Sequence, residues 1–179
     1  MALDSDKQPG LVQVYTGKGK GKTTAAFGQA LRAYGHGFKV GIFLFLKDSA
    51  SGEVKAVKDF LPGIDVRCFG RTVDWRKGFT FEDKKLVLKG VQITKSVVEK
   101  GELDMLILDE ICVAVELGFV EEKELLDIIK AKPAHMEIII TGRNAPKAVV
   151  ENAHLVTEMR EVKHPFKSLC IKARKGIEY

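Results

Sequence analysis

An α/β fold, with a mostly parallel sheet covered by helices on both faces, is what this sequence predicts, on three observations. Apolar runs alternate with amphipathic stretches along the chain. Four of the runs, "LVQVY", "KVGIFLFL", "LDMLILDE" and "MEIIITG", are near-continuous in apolar residues, as strands buried on both faces are. A glycine-rich loop, "TGKGKGKTT", joins the first run to the first helical stretch.

The elements follow in order. Residues 1–10 read as a flexible N-terminal tail ending in Pro9-Gly10, and residues 11–179 as a single nucleotide-binding domain. "LVQVY" is the first strand. "KTTAAFGQALRAYG" has helical spacing at Ala26, Phe27, Ala30, Leu31 and Tyr34, with a stop at Gly35. "KVGIFLFL" is the second strand and "IDVRCFG" the third. Residues 82–100 form a lysine-rich helix with Leu86, Val87, Val91, Thr94 and Val98 on one face. Thr80 and Asp83 have the spacing of a capping box before it, and Gly101 ends it. "LDMLILDE" is the clearest buried strand. "EEKELLDIIKAK" is an amphipathic helix whose leading acids and trailing lysines match the helix dipole. "MEIIITG" is a further strand, Asn144 is expected to cap a short helix through Val150, and "LVTEMREV" and "SLCIKA" are weaker strand candidates.

The length of 179 residues fits one domain, and a hydrophobic share of 45% is enough for a core. A net charge of +5 and a pI near 9.0 suit an anionic partner without choosing among nucleotide, nucleic acid and membrane surface. The lysines are spread along the chain with no aromatic–basic recognition motif, which argues against a nucleic-acid module. Cys68, Cys112 and Cys170 are widely spaced, with no C-x-x-C pair, so no zinc or redox framework is indicated. The polar start lacks the apolar segment of a signal peptide and no run reaches the length of a membrane span; the expectation is a cytoplasmic protein with reduced thiols.

The chemistry gathers at the predicted carboxyl ends of the strands, where ligands bind in such folds. Strand, glycine-rich loop, Gly21-Lys22-Thr23 and helix form the layout of a P-loop, with a RecA-like P-loop NTPase architecture implied. Gly17, Gly19 and Gly21 let backbone N–H groups converge on phosphate oxygens, flanked by Lys18, Lys20 and Thr24. Lys22 is placed to reach the outer phosphates and the Thr23 hydroxyl to ligate Mg²⁺. The usual pattern has a glycine where this chain has Thr16. Asp109 and Glu110, after "MLIL", have the position of a magnesium-side acid, directly or through water. Arg143, just past a strand end, can place its planar fork on a phosphate. Phe79 and Phe81 straddle the proposed cap Thr80; with Trp75 they are either core packing or an apolar wall for a large flat ligand. The four histidines are far apart and form no catalytic set, and the base-specificity motif of GTPases is missing.

Taken together, "TGKGKGKTTAAFGQALRAYGHG", "GFTFED", "LDMLILDE", "IIITGRNAP" and the ending "EMREVKHPF…KGIEY" resemble the P-loop ATP:corrinoid adenosyltransferases, also called cob(I)alamin or cob(I)yrinic acid a,c-diamide adenosyltransferases. The resemblance runs from about Leu11 to Tyr179, and Thr16 in place of glycine is typical of that family. It implies transfer of the 5′-deoxyadenosyl group of ATP to the cobalt of a reduced corrinoid, with release of triphosphate, in adenosylcobalamin synthesis or salvage. Lys22 and Arg143 would stabilise the triphosphate as it leaves. Thr23, Asp109 and Glu110 would hold Mg²⁺, Glu110 matching a metal-site acid of the family. Phe79 matches a family phenylalanine that packs on the lower face of the corrin; Phe81 stands where the family often has tryptophan. A flavoprotein or other reductant to supply Co(I), and a homodimer, are further implied partners. From the loop and acid pair alone, a P-loop phosphotransferase or ATPase acting on a small molecule stays open.

Overall fold

The structure is a computed structural model, and it describes residues 8–71 and 78–178. Trp75 and residues 1–7 of the expected tail lie outside the described residues. In chain order the elements are β1 (Val12–Thr16), α1 (Lys22–Gly35), β2 (Val40–Phe45), α2 (Gly52–Phe60), β3 (Asp65–Phe69) and α3 (Phe81–Lys100). There follow β4 (Met105–Asp109), α4 (Ile111–Glu116), α5 (Glu122–Ala131), β5 (Glu137–Thr141), α6 (Lys147–Glu151), β6 (Leu155–Glu158) and α7 (Pro165–Leu169).

The strands form one sheet in the order β3-β2-β4-β5-β1-β6, and every pairing is parallel. The continuous apolar runs are explained by what covers them. Side chains alternate across the sheet with a period of two. Phe43 and Phe45 of β2, Leu106 and Leu108 of β4, and Ile138 and Ile140 of β5 face one core with residues of α3, α4, α5 and α6. Ile42, Leu44, Ile107 and Ile139 face the other, with Ala26, Ala30 and Ala33 of α1 and Val54 and Val57 of α2. A strand in the middle of such a sandwich has no polar face to show, so its sequence loses the alternation a half-exposed strand keeps.

Several local expectations hold with their physical causes. Gly101 ends α3 in the left-handed region, at φ 64°, with its N–H on the Val97 carbonyl. Val87, Val91, Thr94 and Val98 are buried on α3, and the Thr94 hydroxyl donates to the Gly90 carbonyl at 2.8 Å. Other expectations are corrected. Leu31 is 55% exposed, and Ala33 takes the buried position on that face of α1 instead. Asn144 does not cap α6: Pro146 precedes that helix, while Asn144 sits in the left-handed region and its amide reaches Glu116 at 2.7 Å. "SLCIKA" is not a strand; Ser168 and Leu169 finish α7, where Pro165 at the first turn and the His164 ring accepting the Phe166 N–H start a helix. The helices α2 and α4 have no counterpart in the sequence reading. Cys68, Cys112 and Cys170 are free thiols. Among the described residues no helix is long and apolar enough to cross a membrane.

Candidate active site

Sheet register brings the motifs into line. Tyr15 pairs with Thr141, Leu108 with Ile140, and Leu44 with Asp109, so β1, β5, β4 and β2 end at one level. Three of the four non-glycine residues with positive φ among the described ones, Leu46, Glu110 and Asn144, lie just past these strand ends. Non-glycine residues held there cost about 1–3 kcal/mol each and concentrate at functional sites.

The loop between β1 and α1 is folded as its glycines permit. Gly17 has φ 96°, and a Cβ on it would lie 2.4 Å from the Met159 carbonyl oxygen. A Cβ on Gly19 would lie 2.7 Å from the same oxygen, which already accepts the Gly19 N–H at 2.7 Å. The need for glycine here comes from the chain beyond β6, which presses on the loop. Thr16 has a structural reason too. Its hydroxyl accepts the Ala145 N–H at 3.2 Å and its carbonyl the Met159 N–H at 2.8 Å, tying the loop to both neighbouring segments. A glycine could not make the first of these bonds.

Lys22 opens α1 with only 6% of its surface exposed and donates to the carbonyls of Gly17 at 2.7 Å and Gly19 at 2.8 Å. Burial lowers its pKa below the ordinary lysine value, with Glu110 pulling back and Arg143 and Lys47 adding to the fall. Thr23, one residue on, donates to Asp109 Oδ2 at 3.3 Å. Asp109 is fully buried, and its Oδ1 accepts the Thr141 hydroxyl at 2.7 Å. That hydroxyl in turn accepts the Glu110 N–H at 2.9 Å, which fixes Glu110 as the first residue past the strand. The acid pair read from "LDE" is thus held in place by a threonine of the neighbouring strand.

Sequence reasoning missed Lys47. Its ammonium donates to Asp109 Oδ2 at 2.8 Å and Thr23 Oγ1 at 2.9 Å, and lies 3.6 Å from Glu110 Oε1. Burial pulls the Lys47 pKa down, but Asp109 and Glu110 outweigh it and the net shift is upward. The nearest sequence signal was a lysine just past a strand end, the same signal that singled out Arg143. The C-terminal segment was also unassigned by chemistry. Lys20 donates to the Ile177 carbonyl at 2.6 Å, so the end of the chain returns over the loop.

Two cavities meet here. One, of about 570 Å³, runs along the loop past Lys22, Thr23, Thr24, Lys47 and Arg71. The second, of about 1440 Å³, opens between Phe79, Val113, Leu117 and Arg160. Lys18, Glu110, Arg143 and Glu161 line both. Phe79 is half-buried, edge-on to Phe119 with centroids 6.1 Å apart. Phe81 is 69% exposed, with the Lys85 ammonium 4.9 Å from its ring centroid. The structure therefore puts Phe79 on the wall of the wide cavity and Phe81 on the outer surface of α3.

A clasp holds the entrance of α3. Arg71 Nε donates to Asp83 Oδ1 at 2.6 Å and Arg71 Nη2 to the Thr80 hydroxyl at 2.7 Å, while the Thr80 N–H donates to Asp83 Oδ2 at 2.7 Å. The Arg71 hydrogen bonds, aided by those from Thr80 and opposed by burial, hold the Asp83 carboxyl well below the usual carboxylate range. A depressed folded pKa contributes stability that is complete above the unfolded value and is lost as pH falls through the folded one. Asp83→Ala should therefore cost about 1–3 kcal/mol at neutral pH, through the partners it strands. The cost should shrink below about pH 4. Thermal melts of both proteins across that range check this; a difference independent of pH would be the contrary result.

Comparisons with known proteins point to one family. The family model for ATP:corrinoid adenosyltransferases (BtuR/CobO/CobP) matches residues 8–179. A corrinoid adenosyltransferase of Pseudomonas aeruginosa is 35% identical over 171 residues, covering 95% of this chain and 84% of the relative. The corrinoid adenosyltransferase CobA of Salmonella typhimurium is 34% identical over 176 residues, 98% of this chain and 88% of the relative. That of Escherichia coli is 35% identical over 171 residues, 95% and 86%. With a parallel sheet, a lysine-bearing glycine loop and an acid pair at its strand ends, and sequence agreement along almost its whole length, the chain belongs to the ATP:corrinoid adenosyltransferase family and adenosylates the cobalt of corrinoids.

Proposed function

We propose that this chain grips the triphosphate of ATP on the loop of residues 16–22 and presents the ribose 5′ carbon to a Co(I) corrinoid in the adjoining wide cavity. The observation that carries this reading is the junction of the two cavities at Lys18, Glu110, Arg143 and Glu161. The narrower space is of the size that small-molecule sites have, and the wider one exceeds it, as a macrocycle requires. The cobalt nucleophile attacks C5′, the C5′–O bond breaks, and the electron pair leaves with triphosphate. Lys22, the loop amides and Arg143 stabilise the charge that develops on that leaving group. Phe79 offers an apolar wall to the corrin.

Thr23, Asp109 and Glu110 would hold Mg²⁺. One hydroxyl and two carboxylates suit a hard cation that takes its other ligands from phosphates and water, and these donors already gather around the Lys47 ammonium. When bound, the ion would neutralise charge on the triphosphate. Attack by Co(I) also needs a reductant outside this chain, a flavoprotein or similar. The exposed apolar residues Leu155 and Val156 on the edge strand β6 favour a homodimer, and the reading remains that of a cytoplasmic enzyme.

The test is anaerobic incubation with MgATP and a chemically reduced corrinoid. A cobalt–carbon bond in the absorption spectrum and triphosphate by phosphorus NMR are the expected products. ADP and phosphate would instead mark an ordinary phosphotransferase or ATPase.

A further inference from the structure

Lys47 belongs to no motif in this chain, yet it is the cation at the centre of the acid cluster. Its ammonium touches Thr23 Oγ1 and Asp109 Oδ2 and lies 3.6 Å from Glu110 Oε1, the three groups suited to a divalent ion. This placement is built into the backbone. Leu46, the residue before it, is held at φ 60°, with its N–H on the Phe69 carbonyl at 3.1 Å. That left-handed residue bends the chain off the end of β2 and turns the next side chain toward β4. Gly70 of the following segment lies so close that a Cβ on it would stand 2.3 Å from the Lys47 nitrogen of the main chain. The Lys47 side chain is 28% exposed and borders the cavity that runs along the glycine loop. Glu53, on the same cavity, adds to the negative field around it.

We propose that Lys47 is a movable counter-cation: it holds Thr23, Asp109 and Glu110 together until a divalent ion arrives with a polyphosphate, then passes to a phosphate oxygen. This rests on the reading of the loop and acid pair as a metal–triphosphate site. A flexible four-carbon stem with a point charge and three donors suits such an exchange, where the fixed fork of arginine would not. The consequence is ordering. A metal ion alone must compete with an ammonium already bonded to its donors, whereas with polyphosphate present the displaced ammonium gains a new anionic partner.

Two measurements on Lys47→Met have opposite expected signs. Mn²⁺ alone, followed by its EPR signal, should bind at least about tenfold more tightly than to wild type, because a positive charge a few ångströms from the site is gone. Inorganic tripolyphosphate, titrated calorimetrically at saturating Mn²⁺, should bind about tenfold more weakly, because one charged hydrogen bond is lost. Should Lys47→Met not fold, Lys47→Gln removes the same charge while keeping a donor and must give the same two shifts. Unchanged or weaker Mn²⁺ binding would overturn the competition, and unchanged tripolyphosphate affinity would overturn the transfer. Wild-type protein that binds neither probe would sink the site reading itself, and this inference with it.

Discussion

Lys22→Ala is expected to lower kcat/KM for ATP by about two to three orders of magnitude, the usual loss when a charged donor to a leaving oxyanion is removed. The fold should survive. The Lys22 side chain bonds to two carbonyls of its own loop, at 2.7 and 2.8 Å, and spans no two distant elements. The loop keeps its other ties, from the Gly19 N–H to Met159 and from Thr16 to Ala145 and Met159. Burial disfavours its charge, and Arg143 and Lys47 add to that against the pull of Glu110 and Asp109, so losing the charge relieves a net unfavourable placement as well as removing two hydrogen bonds. A net stability change within about 1–2 kcal/mol is expected. The anaerobic cobalt–carbon assay and a thermal melt, run side by side, check both halves. Wild-type activity in a folded variant would remove Lys22 from the leaving-group site.

Asp109→Asn is the second large effect. The change is nearly isosteric and the position is fully buried, so packing is preserved. Asn Oδ1 can still accept the Thr141 hydroxyl that Asp109 takes at 2.7 Å. The other side of the group then offers an amide N–H₂ to Lys47 and Thr23, which are themselves donors to Asp109. Donor faces donor at Lys47, whose ammonium keeps Glu110, at 3.6 Å, as its ionic partner among the described residues. Destabilisation of about 1–3 kcal/mol follows from the unmet groups. Adenosylation should fall by about a hundredfold or more as a buried anion of the proposed metal site is lost. Chemical denaturation and steady-state assays at several Mg²⁺ concentrations separate the two. Full activity at low Mg²⁺ would show that Glu110 and Thr23 suffice without it.

Much of the architecture was legible because it is written in short stretches. The run "MLIL" before Asp109 reads as a buried strand from its own neighbourhood, since a short continuous apolar run after Gly101 suits a strand buried on both faces. The same holds for the glycine loop and for the Thr80–Asp83 cap, whose parts lie within a few residues of one another. What was illegible involves residues distant in the chain. Leu31 has the spacing of a buried residue, yet it is left 55% exposed by the described residues. Asn144 has the chemistry of a cap, but Glu116, on a helix that was not foreseen, takes its amide.

The sequence by itself determined the strands of the sheet, with "SLCIKA" wrongly added to them, most helices, the glycine-rich loop, the acid pair and the family to which the chain belongs. Periodicity, turn chemistry and motif spacing are local properties, and each was complete within its own segment. Only the tertiary structure decided that Lys47 meets Asp109 across 62 residues, that Thr141 fixes Glu110 from the adjacent strand, and that Met159 closes on Gly17 and Gly19. The physical reason is the order of the sheet. β2 lies beside β4 and β4 beside β5, so strands far apart in sequence end side by side. Strand pairing uses the same backbone hydrogen bonds whatever the partner, so no single strand announces its neighbour.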